Sequence, residues 1–518
     1  MNAAKRDALA RLAPRPRAMV YESGAVTRRT LDWRSPTVSP NSSVIPLLPL
    51  LRDRSRAAVR NDGYAKGSIE KLVTNIVGTG IKPLSQAASA DFRKAVQALW
   101  LKWTDESDAD GLLDFYGQEA QAVRCWLEAG EVFIRLRPRY PTDVSITGTP
   151  LSVPFQVQVI EPELCPLNYN ATLATGNRIR AGIEFDSIGR RTAYWFYEQR
   201  PGDLMDWNQG VINPVPAENI IHVFDPLRAG QIRGIPHLTA ALIRLRELDK
   251  FDDATLLRQQ LSAMFVAFLK KSPVEGGDVD ALTGNAIQTS DGQPVIALQP
   301  GGFNELGPGE EVQFSDPPDV GQMYTDFIRQ QLMAACAAAG VPYEVLTGDM
   351  SRVNDRTVRV ILHEFRRSIQ GRQHHVVAFQ LCRRVWSAWL DRVFLSGALP
   401  IPPAYLKDRE PWAKAKFQPQ GWPYIHPVQD VEAARSAIRA GFTSRTATVA
   451  EQGEDAEVID EENAADNKRA DDLDLTYESD GRQPVGKGAA PAPAPAPAAA
   501  PADPNAEPDT ALPSKGGK

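Results

Sequence analysis

A chain of 518 residues is too long for one ordinary core and implies about two to four structural units. With 43% hydrophobic and 24% charged residues it has the composition of an ordinary soluble protein, and Cys125, Cys165, Cys336 and Cys382 show neither CxxC nor CxH spacing, so a zinc site or a disulfide framework is not expected and free thiols in a reducing cytoplasm are. The net charge of -6 is unevenly spread: residues 451–518 carry 16 acidic and 6 basic side chains, leaving +4 on residues 1–450, so the body is not a nucleic-acid gripper and any contact with DNA should be local or loose.

Residues 1–50, rich in Pro, Ser and Arg, read as an extended arm, and Met1–Tyr21 lacks the apolar stretch of a secretory signal. Arg52–Ile76 has a helical pattern interrupted at Gly63 and Gly67, and it stops at Gly78-Thr79-Gly80, where the chain can reverse. Two further helices are expected over Asp91–Trp103 and Phe115–Ala129. From Glu131 to His222 the signals change to short strands: Val132–Leu136, Phe155–Ile160, Ile179–Phe185 and Thr192–Tyr197, with Asp186-Ser187-Ile188-Gly189 as a hairpin turn. This block reads as α+β.

His237 to about Lys271 is a long helical pattern. Ser272–Pro318 then breaks the rhythm with glycine pairs around two strand-like pieces, Val295–Leu298 and Glu311–Phe314. An apolar-striped helix is expected over Asp319–Ala339, a turn at Gly340-Val341-Pro342, a polar loop, and a second long helix from Asp355 to about Leu395. Leu399–Pro427 is a Pro- and Trp-rich connection, and Val428–Ala440 and Ser444–Asp474 read as shorter helices. Beyond about Gly486 the Ala-Pro alternation cannot bury enough apolar area to offset its conformational entropy, so disorder is expected. No run of about 18 uncharged apolar residues occurs, so no membrane span is expected. The longest candidate, Leu332–Val341, is too short.

Catalytic chemistry finds little support. A phosphate loop needs a glycine-rich turn ending in Gly-Lys-Ser/Thr, and neither Gly78-Thr79-Gly80 nor Gly307-Pro308-Gly309 provides it. His363-Glu364 lacks the second histidine of a zincin. His374 and His375 point about 100° apart on a helix and do not converge on one metal. The acidic run Glu454, Asp455, Glu457, Asp460, Glu461 and Glu462 reads as a solvated face rather than a nuclease site. Trp100, Trp103 and Trp126 are read as core or subunit-interface residues and not as base-stacking platforms. Arg359, Arg366 and Arg367 fit a solvated or salt-bridged helix face, whereas Arg352 and Arg356 flank a loop tip.

Three stretches in a fixed order resemble the lambda-type family of tailed-phage portal proteins. They are Arg60-Asn61-Asp62-Gly63-Tyr64-Ala65-Lys66-Gly67 running into Asn75–Ile81, Asp114-Phe115-Tyr116-Gly117 running into Ala129–Phe133, and Pro317-Pro318 followed by the helix, the Gly340-Val341-Pro342 turn and Gly348–Arg356. The resemblance extends from about Arg52 to about Asp474. It implies an α+β portal fold assembled as a ring, usually of about twelve identical subunits, at one capsid vertex. The ring passes double-stranded DNA without reading sequence, and it meets the terminase large subunit, the major capsid and scaffolding proteins and the head-tail connector proteins. It would sit in the virion after assembly in the host cytoplasm, with no membrane contact, no cofactor and no enzymatic activity of its own.

On that resemblance, residues 1–50 are an N-terminal arm, 51–236 the wing, 237–268 the first stem helix and 269–318 a small β-containing clip. Residues 319–340 are the second stem helix, 341–354 the tunnel loop, 355–398 the long wing helix, 399–475 a helical crown and 476–518 a disordered tail. Asp349, Ser351, Arg352, Asn354, Asp355 and Arg356 are the expected channel-facing residues, with Ser351 or Asn354 capping the helix that follows and the side chains between free to project. The rival readings are a terminase or head-maturation enzyme, against which the missing motifs argue, and a connector or scaffold protein without a DNA channel.

Overall fold

The computed structural model describes residues 37–145, 148–200, 210–264, 268–271, 310–313, 321–400 and 402–475. The arm's residues 1–36, most of the expected clip (272–309 and 314–318) with its Val295–Leu298 strand, and the tail 476–518 lie outside them.

Part of the expected arm is helical. In α1 (Pro40–Val44) the proline sits in the first turn, where its missing N–H costs nothing, and the Ser39 hydroxyl accepts from Ser42 N (3.1 Å). α2 (Leu48–Asn61) and α3 (Gly63–Ile76) are separated by Asp62, an extended residue whose carboxylate caps α3 through Tyr64 N and Ala65 N (2.8 and 3.0 Å). Gly67, read as a second interruption, lies inside α3. A Cβ there would come within 3.1 Å of Leu346 Cδ1, so the glycine admits a close neighbour and does not end the helix. Gly78 and Gly80, at φ +59 and +112, reverse the chain into β1 (Lys82–Ser85). α4 (Ala90–Thr104) and α5 (Phe115–Ala129) follow with side-chain caps from Ser89 and Asp114.

Two antiparallel sheets come next. β2 (Glu131–Pro138) is flanked by β3 (Phe155–Ile160) and β9 (Ile220–Phe224) in one. The other is a meander of β4 (Ala171–Thr172), β5 (Arg178–Arg180), β6 (Ile183–Phe185), β7 (Arg191–Tyr197) and β8 (Ile212–Pro216). The single strand expected over Ile179–Phe185 is two, folded back at Ala181 (φ +49) and Gly182 (φ +77). The reason is electrostatic: the reversal aims Ala181 O at the buried Arg233 guanidinium (2.7 Å). The turn expected at Asp186–Gly189 joins β6 to β7, with Asp186 Oδ1 accepting from Ile188 N and Arg190 N (3.0 and 2.7 Å).

The long helix expected from His237 opens as a 3-10 turn (His237–Ala240), continues as α6 (Leu242–Met264), and gives way to β10 (Phe268–Lys271), which pairs antiparallel with β11 (Glu310–Gln313). α7 (Gly321–Ala339) runs antiparallel to α6, as Arg244–Gln331 (2.8 Å) near one end and Asp252–Tyr324 (2.9 Å) further along show. At 1.5 Å per residue α6 is about 35 Å long. α8 (Tyr343–Thr347) is a short helix within the expected loop. Beyond the loop α9 (Asp355–Arg372) passes through a wider-turned π segment (Gln373–Cys382) into α10 (Arg383–Ser396). In that segment the Gln380 amide bonds Phe224 N and O (3.1 and 3.0 Å), completing the free edge of β9.

The stretch Leu399–Pro427, expected as a connection leading into a helical crown, contributes a short helix α11 (Glu410–Ala413) and a strand β12 (Ala415–Gln418) that pairs with β1. Its aromatic residues join the main core: Trp412 meets Phe92 edge-on and Tyr405 packs on Phe394. Helices resume at α12 (Pro427–Arg439), and the chain divides into compact units at Ala433/Ala434. In the second unit α13 (Arg445–Glu451) and α14 (Ala456–Asp472) are joined by a two-pronged Arg445–Asp460 pair (2.6 and 2.8 Å).

Trp100, Trp103, Trp386 and Trp389 are all buried and meet at centroid distances of 4.8 to 6.0 Å. They bind α4 to α10, which are far apart in sequence, with Trp103 Nε1 donating to Phe155 O (2.7 Å) and Trp386 Nε1 to Ala413 O (2.8 Å). Nearby, Glu119 is enclosed with Ile81 N and Cys382 Sγ as donors (2.9 and 3.2 Å), and burial pushes its carboxyl up to about 8. The four thiols are free, and burial raises each of them.

A second centre is ionic. Glu131, at the start of β2, accepts from Arg52 Nη2 (2.5 Å) and Arg233 Nε (2.6 Å) on one oxygen and from His222 Nε2 (2.9 Å) and Gly234 N (2.8 Å) on the other. Burial alone would raise this carboxyl, but Arg233, Arg52 and the His222 hydrogen bond outweigh it and hold it well below the usual carboxylate range. Burial also draws His222 down to about 4, so its ring is neutral at pH 7. Glu131→Gln leaves two guanidiniums buried against an amide and should cost about 3–5 kcal/mol in denaturant unfolding at pH 7. Because the folded carboxyl lies below its ordinary 4.5, that contribution is complete above pH 4.5 and is lost as pH falls further. The gap between wild type and variant should therefore narrow in acid; a variant as stable as wild type at pH 7 would contradict the assignment.

Candidate functional site

The segment after α7 is fixed at its start. Gly340, at φ +68, ends the helix, Val341 N returns to Cys336 O (3.1 Å), and His237 Nε2 donates to Ala339 O (2.7 Å) from the opening turn of the α6 limb. Pro342 then opens α8, which Gly348 closes at φ +73. Residues 349–354 form the remaining loop, shorter than the one expected from Gly340 to Asn354.

This loop folds back along α7 instead of projecting freely. Asp349 Oδ1 accepts from Ser351 N (3.0 Å) and Ser351 Oγ (2.6 Å), while its Oδ2 accepts from Arg329 Nη1 (2.9 Å) and Tyr343 OH (3.1 Å). The Ser351 hydroxyl and N–H, ahead of Tyr343 and Arg329, hold the Asp349 carboxyl down at about 2. The Arg329 guanidinium lies 5.0 Å over the Tyr343 ring. Arg352 Nη2 pairs with Asp326 Oδ1 at 2.7 Å, although both side chains remain mostly exposed. Asn354, of the two cap candidates, caps α9 by accepting from Thr357 N (2.9 Å). Asp355 is shared between Arg359 (3.3 Å) and His426 (3.2 Å). Arg356 is exposed and makes no hydrogen bond or ion pair among the described residues.

The fold thus brings Asp349, Ser351 and Arg352 onto one face of α7 and sets Asn354, Asp355 and Arg356 at the start of α9. A cleft of about 730 Å³ opens beside the first group, lined by Tyr64, Tyr324, Leu332, Tyr343, Leu346 and Arg352. Sequence reasoning missed Asp326, Arg329 and Tyr343. The first two are one helical turn apart on α7, and only the fold-back of the loop gives them partners.

The other candidates resolve as follows. Trp100, Trp103 and Trp126 are buried in the core, which leaves no face for a base. The arginine face is paired or stacked: Arg359 with Asp355, Arg367 with Glu364 (3.7 Å), and Arg366 over Trp422 (5.0 Å). The His374 and His375 rings are nearly perpendicular, 5.0 Å apart, and no group of three or more His, Cys, Asp or Glu among the described residues is arranged to hold a metal ion. No helix of the described residues is long and apolar enough to cross a membrane.

Residues 26–373 match the family described as phage portal protein, lambda family. The probable portal protein of Halomonas phage phiHAP-1 is 25% identical over 439 residues, covering 81% of this chain and 80% of that protein. Portal protein B of Escherichia phage lambda is 22% identical over 465 residues, covering 83% and 85%. A chain from the neck of an empty GTA particle, solved with C6 symmetry, superposes with a TM-score of 0.45 and 14% identity over 77% of this chain and 92% of that one. Because the family match spans more than half of the sequence, this chain belongs to the lambda family of phage portal proteins.

Proposed function

We propose that the chain assembles head-to-tail into a closed ring of about twelve subunits at a capsid vertex and that double-stranded DNA enters and leaves the head through its centre. In this reading residues 51–236 are the wing, α6 and α7 the stem, 269–318 the clip, 341–354 the tunnel loop, 355–398 the long wing helix and 399–475 the crown. The clip would present the docking surface, first for the terminase large subunit and then for the head-tail connectors. The wing and crown would face the major capsid and scaffolding proteins. The protein's part is mechanical, a conduit without catalysis of its own.

The observation that carries the ring is the apolar surface that the α6–α7 pair leaves uncovered. Leu245 and Leu248 are buried against the chain's own core, whereas Ile243, Leu256 and Leu257 are 76%, 59% and 56% exposed and Phe327 and Met333 are 45% and 40% exposed. Apolar side chains on several faces of a helix pair call for further helices beside it, and copies of the same pair in a ring supply them. A dozen helices about 10 Å apart have a circumference of about 120 Å, hence about 38 Å between opposite axes and about 28 Å clear, which admits a B-form duplex without gripping it.

The loop charges suit the same task. A cationic ring of Arg352 or Arg356 attracts phosphate without reading bases, and Asp326, Asp349 and Asp355 beside them keep the attraction weak enough for DNA to move.

Two substitutions test this reading. Leu256→Asp with Leu257→Asp should keep the far-ultraviolet circular dichroism of the wild type but convert the assembly to the 56.8 kDa monomer in sedimentation; rings formed by that variant would locate the interface elsewhere. Arg352→Ala with Arg356→Ala should leave the ring assembled and reduce the DNA packaged or retained per head severalfold. Unchanged packaging and retention would remove both residues from the mechanism.

A further inference from the structure

A row of arginines on β2 takes no part in the helix pair or the loop. Arg135 and Arg137 alternate with Leu136 and Pro138, and Arg139 continues the extended backbone, its N–H bonded to Pro154 O (3.0 Å), so all three stand on one face of the sheet. Opposite them β3 offers no carboxylate. Gln158 is the partner of Arg135 and Gln156 the partner of Arg137 in the ladder.

The two amides orient the guanidiniums without neutralising them. Gln158 Oε1 accepts from Arg137 Nη1 (3.2 Å), and Gln156 Oε1 accepts from Arg139 Nε (2.7 Å). Each amide is locked by its other end: Gln156 Nε2 donates to Glu106 O and Asp108 O (both 3.0 Å), and Gln158 Nε2 donates to Asp110 Oδ1 (3.2 Å). Arg135 makes no hydrogen bond or ion pair among the described residues, and all three side chains are half-buried. Each guanidinium has five N–H donors, so most of the row's donors are uncommitted. Like charges side by side on a strand disfavour one another. After burial, Arg139 and Arg135 are what weaken the hold of Arg137 on its proton, with Asp110 opposing them.

We infer that Arg135, Arg137 and Arg139 form a binding site for the sugar-phosphate backbone of duplex DNA, independent of base sequence and separate from the loop after α7. The row covers about 14 Å of strand, the axial run of about four nucleotides of one DNA strand. Planar guanidinium forks at a two-residue spacing, those of Arg137 and Arg139 held by neutral amides, suit a linear phosphate polyanion, and the phosphates relieve the repulsion within the row. The identity of the polyanion rests on the portal reading, which puts duplex DNA beside the protein.

The test is a titration of the full-length protein with a random-sequence duplex at several salt concentrations. Arg135→Gln with Arg137→Gln and Arg139→Gln should lower the slope of log affinity against log salt by about three and weaken binding about tenfold or more, while the triple lysine variant keeps most of the slope. Arg135→Gln alone, which removes no hydrogen bond between described residues and so does not depend on refolding the sheet, should lower the slope by about one. An unchanged slope in both glutamine variants overturns the proposal. So does unchanged DNA binding accompanied by lost binding to polyglutamate, which would assign the row to an acidic protein. The measurement reads DNA binding whatever the oligomeric state, so its failure is distinct from failure of the ring.

Discussion

A carboxylate buried between two guanidiniums has to be assembled completely or it destabilises whatever surrounds it, and Glu131 imposes that condition on most of the first unit. Its partners come from α2 (Arg52), β9 (His222) and the segment before α6 (Arg233 and Gly234). Arg233 in turn draws in the carbonyls of Pro162, Cys165 and Ala181, which fixes the 3-10 turn after β3 and the fold-back between β5 and β6. Close packing allows nothing larger nearby: a Cβ on Gly234 would stand 1.9 Å from Gly130 O. The two sheets, the first long helix and the entry to α6 are therefore set by one ionic centre.

From that entry the constraint passes to the helix pair. His237 lies three residues beyond Gly234 and holds the last carbonyl of α7, so the start of α6 and the end of α7 are tied at the same level. The loop after α7 inherits its position from this tie, and the Arg329–Asp349 and Arg352–Asp326 pairs lay it along α7. In the ring we propose, a shift of one helix against the other would carry the loop with it. The chain's contribution to DNA passage would be the positioning of a few charges by a rigid pair of helices.

How much of this was legible in the sequence depended on whether the determinant was local. The helix starts near Asp91, Phe115 and Asp355 were legible because their determinants are local: Ser89, Asp114 and Asn354 each cap an N–H three residues on. The turn at Asp186–Gly189 was equally plain. What escaped was set by distant partners: the break at Ala181 exists for Arg233, 52 residues away. β12 is a strand because β1 lies beside it, and nothing in Ala415–Gln418 alone distinguishes it from a connection. In the loop, the residue types around Asp349–Arg356 identified a polar, helix-capping segment. That Arg352 would be paired while Arg356 stays exposed depends on Asp326 of α7, to which Arg352 returns only because the chain turns back through α8. The arginine alternation on β2 was in plain view, but its meaning depended on learning that β3 places amides opposite it.

The exposed apolar side chains of α6 and α7, the balanced charges of the loop and membership of the lambda portal family support the ring around duplex DNA that we propose. Electron microscopy of the purified chain tests this most directly. The account predicts closed rings whose central hole is about 28 Å across, set by a dozen helices, one from each subunit, packed at about 10 Å. Closed particles without a hole, or rings too narrow for a duplex, would contradict it.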